Sequence, residues 1–347
     1  MPAERRAPFA LEPLAIRSVC TQSVLEPLMP EGDTLFRIAA ALGPALEGAR
    51  VIALELPRSD RRCDALVGRR IERVEARGKN LLIFFDDGTV LHTHLRMSGA
   101  WHLYREGERW KRSEATASAI LAVPGYVAVC FRAPIVRLLR ASALRGDRLL
   151  GGLGPDLLGD GFDAAEALRR LRALDEVPLG VAIMDQRVVA GIGNVYKSEL
   201  LFRRRLDPFA PVRAYSDEEL SAMLDLGRRL LQANVEPRDP SGAYRGPTAH
   251  YLHTRTTRAG FDRGRRPVSV YGREGRACYD CGAAVQMRRQ GTMMRSTYFC
   301  PRCQPARAAP APAAGTATPA GAAQPDGSAP SSDGSAPPSD GSTRSVA

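Results

Sequence analysis

Nowhere in the 347 residues is there a run approaching the roughly 18 uninterrupted apolar residues that a membrane-crossing helix needs. That excludes a helical membrane span. The first thirty residues carry Glu4, Arg5, Arg6, Glu12, Arg17 and Glu26 and lack the apolar centre of a secretory signal, so the chain is expected in the cytoplasm. Lysine is almost missing: of 49 basic residues only Lys79, Lys111 and Lys197 are not arginine. Arginine keeps its proton near neutral pH whereas lysine can lose it, so proton-transfer chemistry is one reason for a site to retain a lysine; chance is the other. Cysteine is sparse as well, and seven in a chain of this size and compartment do not make a disulfide framework.

What is present describes a soluble globular chain, 44% hydrophobic and 25% charged, long enough for two or three domains. Its net charge is +11. Residues 1–28 balance to zero and the tail from Ala306 carries −1, which leaves +12 on the residues between them. A basic surplus confined to the ordered part suggests a polyanionic partner, nucleic acid first, although arginine-rich composition alone can imitate this.

Residues 1–28 contain four prolines and no helical or strand period, and are expected to form a disordered extension or to precede the true start. Order should begin at Met29-Pro30-Glu31-Gly32-Asp33-Thr34, with Asp33 or Thr34 capping a helix that runs to about Leu46. Short β-rich runs follow at Val51–Leu56, Arg70–Glu75, Leu81–Phe85, Val90–Leu95 and Tyr126–Phe131, the pattern of a two-sheet sandwich over residues 29–150. Gly151-Gly152-Leu153-Gly154-Pro155 marks a hinge over 151–160. Helical patterns then occupy Ala164–Ala173, Pro178–Met184, Gly193–Phe202 and Asp217–Ala233, within a helical domain expected over 161–266. Residues 305–347 are rich in Ala, Pro, Gly and Ser with three Asp-Gly-Ser triplets, a low-complexity disordered tail.

Two motifs carry chemistry on their own. Cys278-Tyr-Asp-Cys281 and Cys300-Pro-Arg-Cys303, with eighteen residues between them, have the spacing of a four-thiolate zinc ribbon, expected over 267–304 with one zinc per chain. Cys20, Cys63 and Cys130 are isolated and carry no such pattern. Gly191-Ile192-Gly193-Asn194 sits between two helical segments, where it could leave backbone N–H groups open to an anion, with Asn194 adding a side-chain donor. Taken alone the motif is weak, and a plain corner between helices is the favoured reading.

From Met29 to Gln304 the chain resembles the formamidopyrimidine-DNA glycosylase and endonuclease VIII family of base-excision repair enzymes. The likeness rests on four blocks in order: Met29–Thr34; Arg77-Gly78-Lys79-Asn80-Leu81-Leu82; Asp185-Gln186 through Asn194; and Arg295-Ser296-Thr297 leading into Cys300–Gln304. The resemblance implies an α+β fold, an N-terminal β-sandwich followed by a helix-two-turns-helix domain with a zinc-finger β-hairpin. It also implies a bifunctional glycosylase and AP lyase acting, as a monomer, on damaged double-stranded DNA. Pro30, exposed as an N-terminal secondary amine, would attack C1′; Glu31 would be the general acid/base that opens the sugar; Lys79 would donate protons and contact phosphate; Arg295 would grip the phosphates around the lesion. Asn194 would join the DNA contacts. Leu95-Arg96-Met97-Ser98-Gly99 matches the loop that fills the gap left by a flipped base, with Met97 the wedge or, alternatively, a core methionine. His92 and His94 are expected to be structural.

Two features depart from the family pattern. The Pro-Arg-Arg-Phe-Gly loop of the formamidopyrimidine branch is replaced by Cys130–Arg137, which with the Met-Pro-Glu-Gly-Asp-Thr start points to the endonuclease VIII branch and to oxidised pyrimidines. Residues 1–28 precede the nucleophile, and the amide nitrogen of an internal proline cannot attack. Translation from Met29 or cleavage of the extension would restore the amine; otherwise the chain would be a catalytically silent, structure-specific DNA-binding protein of the same fold.

Overall fold

The computed structural model describes residues 30–58, 63–235 and 268–308. The expectations for residues 1–28, for Cys20, for most of the arginine-rich stretch before the ribbon and for the tail beyond 308 lie outside the described residues.

Helix α1 spans Gly32–Leu46 and sets Leu35, Ile38, Leu42 and Leu46 into the first core. Its N-cap is Glu31, two or three residues earlier than the expected Asp33 or Thr34. The Glu31 carbonyl accepts from Thr34 N and Leu35 N, so the backbone begins the helix while the Glu31 side chain is left for another task.

Among the described residues eight strands follow: β1 Ala53–Glu55, β2 Ile71–Arg77, β3 Asn80–Phe85, β4 Thr89–His94, β5 Ala100–Arg105, β6 Ala117–Val123, β7 Tyr126–Phe131 and β8 Ile135–Arg140. They form two antiparallel four-stranded sheets, in the orders β1-β6-β7-β5 and β2-β3-β4-β8. Strands β5, β6 and β8 were not among the expected runs. Leu81, Ile83, Phe85 and Leu91 from one sheet meet Trp101, Leu103, Leu121 and Cys130 from the other, which is the core of the sandwich. The opposite faces of β3 and β4 are not left to water: Leu82, Phe84 and Val90 lie under Leu144 and Leu150 of the chain leaving β8. Burial on both faces is why β3 is a continuous apolar run rather than an alternating one.

The second core is helical. Helices α2 (Ala164–Arg172), α3 (Leu179–Ala182), α4 (Asn194–Arg203) and α5 (Asp217–Val235) gather around Leu171, Leu179, Ile192, Tyr196, Leu200, Leu224 and Leu231. Every residue of α4 from Asn194 to Phe202 is buried, so its polar side chains need partners inside the protein. A third cluster joins Val195 and Phe202 of α4 to Val270, Tyr298 and the cysteines of a hairpin made of β9 (Gln286–Gln290) and β10 (Arg295–Phe299). No helix among the described residues is long and apolar enough to cross a membrane.

Candidate active site

Glu31 is fully buried, and its carboxylate caps the start of α4. Gly193 N donates to Oε2 at 2.9 Å, Val195 N to Oε1 at 2.8 Å and Tyr196 N to Oε2 at 3.2 Å. The Gly193 amide of the Gly191–Asn194 turn, with the Val195 and Tyr196 amides in the first turn of α4, is therefore taken by the chain's own Glu31 carboxyl group, while the Gly191 amide donates to Gln186 Oε1. Gly193 has to be glycine for this: a Cβ there would overlap the Glu31 carboxyl group. Gly32 N donates to Gly191 O at 2.9 Å and fixes the segment that carries Pro30, itself buried, against the same turn.

Lys79 lies in the two-residue turn between β2 and β3. Gly78 makes that turn with φ +54 and donates its N–H to Asp156 Oδ2 at 2.5 Å, which ties the turn to the segment entering the helical core. Lys79 is half-buried and shares its electrostatic surroundings with Glu31 and Arg295. Arg295 opens β10 opposite Gln290 and donates to Met293 Sδ at 3.8 Å.

Burial sets the protonation of this group. Loss of water pushes the Glu31 carboxyl up to about 7, against the opposing pull of the Lys79 charge and the Val195 amide. The same loss pushes Lys79 down to about 8, opposed by Glu31 and assisted by Arg295. An acid and an amine that both exchange protons near neutrality, set beside an arginine, suit proton transfer on an anionic substrate.

The other expected residues fall in different places. Met97 is 50% exposed, at the tip of the loop between β4 and β5, which disposes of the core alternative. Ser98 Oγ donates to Arg132 O at 3.1 Å and Gly99 N to Leu95 O at 2.9 Å, so the loop is braced behind the methionine. Asn194 is buried in the first turn of α4, and its Oδ1 has no hydrogen-bond partner among the described residues. His92 is a buried structural group, paired through Nε2 with Asn80 Oδ1 at 2.9 Å and through Nδ1 with Arg137. His94, which burial pushes down to about 4, accepts from Arg96 N through Nδ1. Cys63 and Cys130 are core residues.

The sulfurs of Cys278, Cys281, Cys300 and Cys303 all lie within 4.8 Å of one another. Cys278 and Cys303 are 3.9 Å apart and Cys281 and Cys300 3.4 Å, too far for disulfides. A tetrahedral thiolate site with metal–sulfur bonds of about 2.3 Å has sulfurs about 3.8 Å apart, so the donor set and its spacing fit a metal ion.

Three consecutive residues of α4 without an expected role tie it to the hairpin and the segment before it. Lys197 Nζ donates to Ser296 O at 2.9 Å, and Ser198 Oγ accepts from Tyr298 N at 3.2 Å, both joining α4 to β10. The Glu199 carboxylate accepts from Ser269 N, Val270 N and Tyr271 N at 2.7, 2.8 and 3.0 Å. The scarcity of lysine was the one signal pointing at Lys197.

Known proteins resemble this chain over both the sandwich and the helical core. The model of the formamidopyrimidine-DNA glycosylase N-terminal domain matches residues 29–132, and that of the formamidopyrimidine-DNA glycosylase H2TH domain matches 153–243. A Streptomyces coelicolor protein named "Probable endonuclease 8 2" is 39% identical over 296 residues, covering 83% of this chain and 97% of that one. The DNA-(apurinic or apyrimidinic site) lyase Nei2 of Mycolicibacterium smegmatis is 34% identical over 280 residues, covering 80% of this chain and 100% of that one. Among solved structures, the MutM (Fpg) protein of Thermus thermophilus superposes with a TM-score of 0.61 at 33% identity, covering 80% of this chain and 98% of that one. The Lactococcus lactis formamidopyrimidine-DNA glycosylase bound to DNA containing an abasic site shares the fold, with a TM-score of 0.64 at 20% identity over 80% of this chain and all of that one. The chain belongs to the formamidopyrimidine-DNA glycosylase and endonuclease VIII family, on its endonuclease VIII-like branch.

Proposed function

We propose that this protein is a bifunctional DNA glycosylase and AP lyase that removes oxidised pyrimidines from duplex DNA and cleaves the resulting abasic strand. One observation carries the proposal. Glu31, next in the chain to Pro30, is buried on the N-terminus of α4 with its carboxyl pushed up to about 7, in the electrostatic reach of Lys79.

In a chain whose first residue is Pro30, the secondary amine attacks C1′ of the damaged nucleotide and the base leaves. An α-amino group titrates near about pH 8, so a useful fraction is the free nucleophile at neutrality. Glu31, still partly protonated there, donates a proton to the sugar ring oxygen and opens the ring. The iminium ion that results withdraws electrons and acidifies the neighbouring carbon, and β- and then δ-elimination release the strand. Lys79 carries protons to the departing groups and faces phosphate. Arg295, at the start of β10, holds the phosphates flanking the lesion, Asn194 contributes its carboxamide to the backbone contacts, and Met97 fills the space vacated by the flipped base.

Cys278, Cys281, Cys300 and Cys303 hold one structural zinc, which ties the two knuckles together and so fixes the hairpin bearing Arg295. The protein acts as a monomer on DNA in the cytoplasm. The experiment is excision by protein beginning at Pro30, from duplexes carrying an oxidised pyrimidine or 8-oxoguanine, beside an abasic control. Preferential release of the pyrimidine is expected. Release of neither base, with DNA binding retained, would leave a silent DNA-binding protein, and preference for 8-oxoguanine would contradict the pyrimidine assignment.

A further inference from the structure

A fully buried lysine is rare, because an ammonium shut away from water needs compensating charge or hydrogen bonds. Lys197 is such a residue. Its backbone N–H donates to Gly193 O at 2.8 Å, which puts it in the first turn of α4, the turn whose amides hold Glu31. Its Nζ donates to Ser296 O at 2.9 Å, one residue past Arg295. A neutral donor could satisfy that carbonyl without the desolvation of a full charge, so the hydrogen bond alone does not account for a lysine. The charge acquires a purpose from its surroundings: Glu31 before α1, Lys79 from the β2–β3 turn and Arg295 from β10 all act on it.

We propose that Lys197 is a positioning residue of the active site: it pins β10, and with it Arg295, to the first turn of α4, and its positive charge balances the Glu31 carboxylate held by that turn. This rests on the glycosylase role proposed for Glu31 and adds a residue to it. Burial pushes Lys197 down to about 7, with Glu31 opposing and Arg295 and Lys79 assisting. Its protonation is therefore linked to the charges of Glu31, Arg295 and Lys79. Around Glu31 the other participants are Asp33 of α1 and Tyr196 of α4, the latter anchored by a hydrogen bond from Asn234 at 2.6 Å. Removing the Lys197 charge takes away support for the ionised carboxylate, so Glu31 should hold its proton to higher pH.

The test is Lys197→Met, with zinc content and circular dichroism as checks of folding. Two quantities are measured across the neutral range: single-turnover excision of an oxidised pyrimidine, and the carboxyl-carbon NMR titration of Glu31. The alkaline limb of excision and the Glu31 titration should both move up by about 0.5 to 1 unit. Lys197→Arg, which keeps the charge, should stay with the wild type. Ser198→Ala removes the acceptor of Tyr298 N between the same two elements without touching charge, and should lower the rate while leaving the limb in place. A Glu31 titration unmoved by Lys197→Met, or moved as far by Ser198→Ala, would overturn the proposal. If Lys197→Met fails to hold zinc, Lys197→Gln is measured against the same two outcomes. Absence of excision by the wild type would count against the glycosylase role, while the NMR titration still decides the part given to Lys197.

Discussion

Glu31 and Gly193 are 162 residues apart in sequence, and the amide of one meets the carboxylate of the other at 2.9 Å. This contact joins the sandwich to the helical core at the place where the chemistry is proposed. A carboxylate on a helix N-terminus is favoured by the helix dipole and by the three amides it accepts, yet burial outweighs both and leaves the group able to carry a proton near neutrality.

Gly193→Ala should break the site without removing any functional group. The new Cβ has no room beside the Glu31 carboxyl, so either α4 or the Pro30–Glu31 segment must shift. Overpacking of this kind costs about 1–3 kcal/mol of stability. Displacement of the carboxyl by an ångström should lower excision by about 100-fold. Thermal denaturation and single-turnover excision measure the two effects, and an alanine variant of wild-type activity would contradict the placement of Glu31.

The pH dependence has a definite sign. With the Glu31 carboxyl raised to about 7, its protonated form dominates below that pH and is lost as pH rises through it. Excision of an intact lesion, which uses that proton, should decline above about 7. Cleavage of an abasic site, which needs only a free amine, should continue to rise towards the titration of an α-amino group near about 8. Glu31→Gln should accordingly keep much of its abasic cleavage while losing about two to four decades of excision. Equal loss on both substrates would contradict the acid role.

Asp156 is expected to act through the Lys79 turn. Its carboxylate accepts from Gly78 N at 2.5 Å and from Leu158 N at 3.0 Å, and Asp156→Ala would leave Gly78 N unpaired in a partly buried position. A loss of about 1–3 kcal/mol in stability is expected. Excision should fall by about tenfold as Lys79 loosens, with zinc content unchanged. Zinc loss in this variant would place the damage elsewhere.

Cys300→Ser should release the metal. One zinc per chain is expected in the wild type and none in the variant, together with weaker binding to duplex DNA, because the hairpin that presents Arg295 loses its tie. A full equivalent of zinc retained in Cys300→Ser would contradict the four-thiolate site.

Much of this was legible in the sequence, for identifiable reasons. Helix α5 shows itself through periodicity and β3 through an unbroken apolar run, whereas α4, buried all round, offers no stripe and is marked only by the Gly-Ile-Gly-Asn break before it. Strand β6, Ala117–Val123, contains Ala, Ser and Ala where β-formers would be expected, and is a strand because it pairs with β1 and β7 rather than by propensity. Strand β8 follows a proline and is half-exposed along most of its length, so it offers no alternation to detect. The four cysteines and Lys79, Glu31 and Arg295 were marked by motif. The Glu31 carboxyl group on the Gly193, Val195 and Tyr196 amides was not, because a turn that opens amides says nothing about whether its ligand is a phosphate or a carboxylate from another part of the chain. Lys197 stayed without a role because its partner is a carbonyl 99 residues away, a pairing that no local pattern encodes.

The nucleophile proposed for this protein is the amine of Pro30. Protein whose first residue is Pro30 is mixed with duplex DNA containing one abasic site in the presence of borohydride, which reduces an iminium to a stable amine. The trapped complex is digested and its cross-linked peptide sequenced by mass spectrometry. A covalent adduct on the nitrogen of Pro30 is expected, and none when residues 1–28 remain attached. An adduct on a lysine side chain, or no adduct while abasic DNA is still bound, would contradict it.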